Sequence, residues 1–132
     1  MKHRIEAKVT IRASAGRVWQ IITDTSTWRQ WGPSVRDVRI CERFIKPGAR
    51  GHVQTAPGLW LPFEISDFIS GEKWSWRIYG VEATGHHIER IADDKCLLVF
   101  DMPVFMLPYW FVCAIAIRRI RHLAEHHWLK EP

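Results

Sequence analysis

The sequence predicts an α+β fold: a curved antiparallel sheet of six to seven strands wrapped around a long C-terminal helix, with two short helices after the first strand. Three observations carry this. Ile5, Ala7, Val9 and Ile11 alternate with Arg4, Glu6, Lys8, Thr10 and Arg12, the period of two that marks a strand with one buried face. Between Val35 and Val104, runs rich in β-branched and aromatic residues are separated by turn signals at short intervals, as in an antiparallel meander. After Pro108 the apolar residues recur at helical spacing and continue almost to the end of the chain, giving one apolar stripe to lay on the sheet.

The elements follow in order. Ser14 stands where an N-cap belongs, its hydroxyl able to accept a bond from an orphan amide of the next turn, and Val18, Trp19 and Ile22 share the face that should anchor this first helix. Asp24 to Trp31 forms a second short helix or helical turn, stopped by Gly32-Pro33. Strands are then expected over 35–41, 50–55, 59–68, 73–79, 84–91 and 95–102. Pro47-Gly48, Pro57-Gly58, Ser70-Gly71, Gly80 and Asp93-Asp94 punctuate them. Pro108 fits the first turn of the last helix, where its missing amide costs nothing. Tyr109, Val112, Cys113, Ala116, Ile120, Leu123 and Ala124 form the stripe that should grip the sheet.

Composition bounds the reading to one domain, residues 1–132, with a single core. A hydrophobic share of 47% against 25% charged residues is that of an ordinary globular protein. Eight tryptophans are not ordinary; such large rings serve either a solid core or the wall of a wide internal space. The three cysteines, Cys41, Cys96 and Cys113, are far apart and lack a CxxC pair. They imply free thiols in a reducing compartment and a cytoplasmic location. The charged start MKHRIEAK argues against a signal peptide. The uncharged run Met102 to Ile117, interrupted by Pro103 and Pro108, falls short of the roughly 20 apolar residues of a membrane span.

The stretch from Val9 to Pro33, VTIRASAGRVWQIITDTSTWRQWGP, runs from an alternating strand into a Ser-started helix and closes on Trp28 and Trp31. With the later strand WSWRIYG and the element order of the whole chain, it resembles the START-like polyketide cyclase/dehydrase and lipid-transport (SRPBCC) superfamily. That resemblance implies a helix-grip fold and an apolar ligand held between sheet and C-terminal helix. It favours a carrier or sensor for a small hydrophobic molecule, aromatic, polyketide-like or lipid-like. The alternative is a polyketide cyclase, aromatase or dehydratase-type enzyme using the same cavity, for which His86, Tyr109 and Asp101 are the acid–base candidates.

Parity places the remaining candidates. Trp74, Trp76 and Ile78 should face the helix, as should Leu61, Phe63 and Ile65; Leu98 and Phe100, with Met102, form one of two alternating sets on the last strand. Each is either packed core or cavity lining, and a one-residue bulge would invert any of them. The expected enclosed space is bordered by Trp76, Phe63, Ile78 and Phe100 and shared with Tyr109 and Val112. Of the adjacent histidines, His86 shares parity with Ile88 and should turn inward as a polar handle, while His87 shares it with Glu89. Asp101 is expected on the solvent face or near the entrance of the last helix, where a carboxylate is favourable.

His122-Leu123-Ala124-Glu125-His126 matches the inverted zinc-protease pattern H-x-x-E-H. That chemistry needs a third ligand and a cleft. Arg118, Arg119, Arg121 and Lys130 make a plain basic tail the better reading, so neither a metal nor a cofactor is expected. The net charge of +5 is spread along the chain, without the clustered basic and aromatic footprint of nucleic-acid binding. At the start of the last helix Trp110, Phe111 and Ile115 would be exposed on a monomer, which points to a homodimer or a membrane-surface contact there.

Overall fold

A computed structural model of the chain describes residues 4–127, and only the backbone of His127; Lys130 lies outside the described residues. Seven strands form one antiparallel sheet: β1 (Arg4–Ile11), β2 (Val35–Arg39), β3 (Arg50–Thr55), β4 (Trp60–Ile69), β5 (Lys73–Ile78), β6 (Val81–Ala92) and β7 (Lys95–Pro103). Their order across the sheet is β1-β7-β6-β5-β4-β3-β2. The chain thus runs as a meander from β2 to β7 and then docks its last strand on its first. Helices α1 (Ala15–Thr23) and α2 (Trp28–Trp31) lie between β1 and β2, and α3 (Trp110–His122) follows the sheet. This is the α+β helix-grip arrangement the sequence predicts.

Local chemistry accounts for the boundaries. Ser14 caps α1, its Oγ accepting from the Arg17 amide at 3.1 Å. The β5–β6 hairpin is the tightest possible: Ile78 pairs with Val81 across Tyr79 and Gly80, both at positive φ, as a two-residue turn that follows the sheet's twist requires. Asp24 is buried and receives Ser26 N, Ser26 Oγ and the Arg43 guanidinium, the last at 2.8 Å to Oδ2. It ties the α1–α2 corner to the β2–β3 loop.

The last helix begins later than its sequence signals indicate. Val104–Tyr109 is a 3₁₀ segment containing Pro108, and regular α geometry starts at Trp110. Cys113, Ala116, Ile120 and Ala124 are buried as expected, together with Ile117, while Tyr109, Val112 and Leu123 are half-buried. Trp110 is half-buried too, its indole N–H bonded to the Glu6 carbonyl at 2.9 Å. The expectation of a bare Trp110 is therefore corrected, whereas Phe111 (69%) and Ile115 (44%) are exposed.

The space between sheet and helices is filled. Trp28 stacks on Trp74 with centroids 5.4 Å apart and near-parallel rings, and touches Phe63 and Trp76 edge-on or tilted. Trp31 packs against Phe100 at 5.8 Å. Both α2 indoles donate, Trp28 to the Ile22 carbonyl and Trp31 to the Thr27 hydroxyl, so each ring is fixed at its polar end while its body fills the core. These rings occupy the volume where an enclosed cavity was expected.

Candidate functional site

Two spaces adjoin Trp76. The inner one is a void of about 30 Å³ bordered by Trp28, Trp31, Trp76, His86, Phe100, Tyr109 and Val112, large enough for a water molecule and nothing more. The outer one is a pocket of about 350 Å³ opening at the end of the sheet where β2, β3, β4 and β5 meet the 3₁₀ segment. Val35, Val53, Leu61, Trp76 and Ile78 form its sheet wall; Val81, Ala83 and Thr84 of β6 and Phe105 and Met106 of the 3₁₀ segment close the remaining sides. Its size falls at the lower end of small-molecule sites, and its walls are mostly apolar with a few polar groups, as such sites require.

Polar contacts in this pocket are few. Tyr109 Oη and Ser34 Oγ lie 2.6 Å apart where the two spaces meet. One of the two hydroxyls donates to the other, which leaves one O–H and free lone pairs for a ligand. Burial pushes the Tyr109 phenol above its ordinary value, outweighing the Ser34 bond, so at neutral pH it stays protonated and can donate. Glu82 reaches the rim, but Arg4 holds its carboxylate at 3.1 Å.

His86 turns inward, as strand alternation predicts, and is buried, while His87 faces the other side with Nε2 at 3.2 Å from Glu89. The handle assigned to His86 is nevertheless taken. Its Nδ1 lies 3.1 Å from the Trp74 carbonyl and must donate to it; Nε2 therefore accepts from Thr84 Oγ1 at 3.2 Å, and Thr84 accepts from the Trp76 indole at 2.8 Å. Trp74 stacks on the imidazole at 3.9 Å and Phe100 meets it edge-on at 4.4 Å. Desolvation lowers its pKa to about 4, so the ring is neutral with both nitrogens engaged. Hydrogen bonds fix it as a structural group behind the pocket.

The other predicted residues divide cleanly. Leu61, Trp76, Ile78 and Tyr109 line the outer pocket; His86, Phe100 and Val112 border the inner void and not the outer pocket. Phe63, Ile65, Trp74, Ile88 and Leu98 are buried in the core and line neither space; Trp28 packs directly onto Phe63 and Trp74. Asp101 lies on the opposite face of the sheet, clamped by Arg4 at 2.5 Å, so the three acid–base candidates do not converge. Ser34, Val35, Val53, Thr84, Phe105 and Met106 belong to the pocket without having been singled out. Thr84 shares parity with His86 and Ile88 and was readable from alternation. Ser34 stands 75 positions from its partner Tyr109, with no local pattern to connect them.

Elsewhere the chemistry is self-contained. A larger groove of about 430 Å³ on the face away from α3 is lined by Arg4, Lys73, Asp67, Glu82 and Asp101, but Arg4 pairs with Asp101 and Glu82, and Lys73 with Asp67 at 3.5 Å. Those ion pairs leave a solvated charged surface rather than a dry seat. His122 and His126 lie 4.6 Å apart between ring centroids, while the Glu125 carboxylate accepts from the Arg12 amide; among the described residues no third metal-binding side chain joins them. Burial pushes Cys96 up to about 11 and Cys113 up to about 12, so neither thiol is a nucleophile at neutral pH.

Comparison with known proteins gives the same fold. The family model described as polyketide cyclase / dehydrase and lipid transport matches residues 2–122. No curated protein matches the sequence. Among solved structures, XoxI from Bacillus cereus superposes with a TM-score of 0.74 at 12% identity, covering 98% of this chain and 99% of its own. The Aha1 dimer from Colwellia psychrerythraea gives 0.71 at 15% identity, covering 94% and 97%. A point mutant of norcoclaurine synthase from Thalictrum flavum, in complex with a transition-state analogue, gives 0.69 at 13% identity, covering 97% of both chains. Identities this low speak for the fold alone.

Proposed function

Because the chain belongs to the polyketide cyclase/dehydrase and lipid transport family, we propose that it binds one small, uncharged, hydrophobic molecule in the outer pocket as a carrier or sensor. The observation that carries this reading is the apolar pocket of about 350 Å³ with the Tyr109–Ser34 hydroxyl pair at its inner end. A volume of that size suits a compact aromatic or polyketide-like molecule, and two acyl chains with a headgroup would not fit. Glu82, the one carboxylate on the rim, is already matched by Arg4, which favours a neutral ligand over an ion. The unpaired state of Cys41, Cys96 and Cys113 fits a reducing cytoplasm.

An enzyme of the cyclase, aromatase or dehydratase type is the weaker reading. General acid–base work needs groups that exchange protons near neutral pH. The pocket offers Tyr109, held protonated by burial, and Glu82, held by Arg4.

Calorimetric titration with naphthol and with naphthalene tests the proposal. Naphthol should bind the more tightly of the two. Tyr109→Phe and Ser34→Ala should each weaken naphthol by up to about tenfold, the worth of one hydrogen bond, and leave naphthalene unchanged. Equal losses for both probes, or no saturable binding of either, would refute the assigned seat.

A further inference from the structure

The apolar surface at the mouth of the pocket has an orientation and a charge of its own. Phe111 and Ile115, four residues apart in α3, stand one above the other, and Leu107, 58% exposed, lies in the 3₁₀ segment that leads into that helix. Val104 and Phe105, at the start of the same 3₁₀ segment, are exposed too, Phe105 to 68%. One turn beyond Ile115 come Arg118, Arg119 and Arg121, all exposed. From Met102 to Ala124 the chain carries no Asp or Glu, and on β1 beneath Trp110 the Glu6 carboxylate is matched by Lys8 at 3.3 Å.

We propose that this end of the molecule docks on the surface of an anionic lipid bilayer, with Phe105, Leu107 and Phe111 entering the headgroup boundary and the arginines meeting lipid phosphates. Apolar side chains ahead of a cationic turn are the composition that holds a helix in an interface, where buried apolar area and attraction to acidic lipids add. Charge selects this occupant over a second copy. A two-fold pairing would present the same carboxylate-free face to itself and leave the arginines without a counter-charge, whereas an anionic surface supplies one. No helix among the described residues is long and apolar enough to cross a membrane, so the contact is peripheral. Phe105 and Val81 are both exposed and both line the pocket. Docking therefore turns the pocket's mouth toward the bilayer, from which an apolar ligand can enter without crossing water.

Flotation of the full chain with vesicles tests this without any pocket ligand. The protein should float with phosphatidylcholine vesicles containing phosphatidylglycerol, remain behind with phosphatidylcholine alone, and bind less as salt rises. Phe111→Ser should weaken binding about tenfold or more at an unchanged melting temperature. Leu107→Ser, in the 3₁₀ segment, gives the same readout should Phe111→Ser fail to fold. Replacing Arg118 and Arg119 together by Glu should abolish binding. Absence of binding to anionic vesicles, binding that neither Phe111→Ser nor Leu107→Ser reduces, or a solution dimer that Phe111→Ser dissociates would each overturn the proposal; the last would assign the patch to a second copy. Failure here leaves naphthol binding in the pocket untouched, and loss of naphthol binding leaves flotation untouched.

Discussion

His86 is held by both its nitrogens, and that arrangement makes the protein sensitive to acid in a defined window. Its pKa is lowered to about 4 by desolvation, against 6.5 for the ordinary side chain. Between those values the unfolded chain takes up a proton that the folded chain refuses. Stability therefore falls as pH drops from 6.5 to 4 and gains nothing from this group above 6.5. The full loss is on the order of 3 kcal/mol. Asp24 acts in a lower range: burial raises its pKa, but the bonds from Arg43 and Ser26 outweigh this and hold it below 3.8, so its contribution is present above 3.8 and disappears only in stronger acid. Urea unfolding at pH 7 and pH 5 should show a clear drop for the native sequence and little for His86→Phe, even though the variant is the less stable of the two at pH 7. Equal drops in both would assign the acid sensitivity elsewhere.

At the scale of elements, α2 decides what the interior can be. Its four residues place Trp28 and Trp31 across the sheet, against Trp74, Trp76, Phe63 and Phe100. Trp28→Ala should thus behave as a core truncation costing about 3–5 kcal/mol, measured by denaturant unfolding. A cost below about 1 kcal/mol would mean that the ring borders space rather than filling it. The strands were legible because alternation is a local signal: β1, β3 and β5 begin within a residue or two of their expected starts, and Trp74 and Trp76 face the helix as parity requires. Bulges at 65–67 on β4 and at 82–85 on β6, opposite 75–77 of β5, shift pairing locally without undoing those assignments. The pocket was not legible in the same way. Its walls come from five strands and an irregular 3₁₀ segment, and its inner limit is set by where two indoles lie. Alternation says which side chains point inward; it does not say whether the volume they face is occupied. Phe63, Ile65, Trp74, Ile88 and Leu98 point inward and meet other side chains, whereas Leu61 and Ile78, at the strand ends, face the opening.

Taken whole, the molecule has a filled middle and an open end. The filled middle follows from tryptophan: rings on α2, β5 and their neighbours build a core that leaves room for a single water. At the open end the α2 rings no longer reach, and the sheet's last inward residues face Phe105 and Met106 instead. The carboxylate-free stretch from Met102 to Ala124 belongs to the same end, and the proposed docking on an anionic surface draws on its arginines. The central claim is that a ligand sits in this outer pocket and not between the sheet and the body of α3. Methyl NMR during titration with naphthol tests it most directly. The account predicts saturable shift changes at Val53, Leu61, Ile78, Val81 and Met106, with Ile65, Ile88 and Leu98 silent. Changes concentrated at Ile65, Ile88 and Leu98 with the mouth residues unmoved, or no saturable change at any methyl, would contradict it.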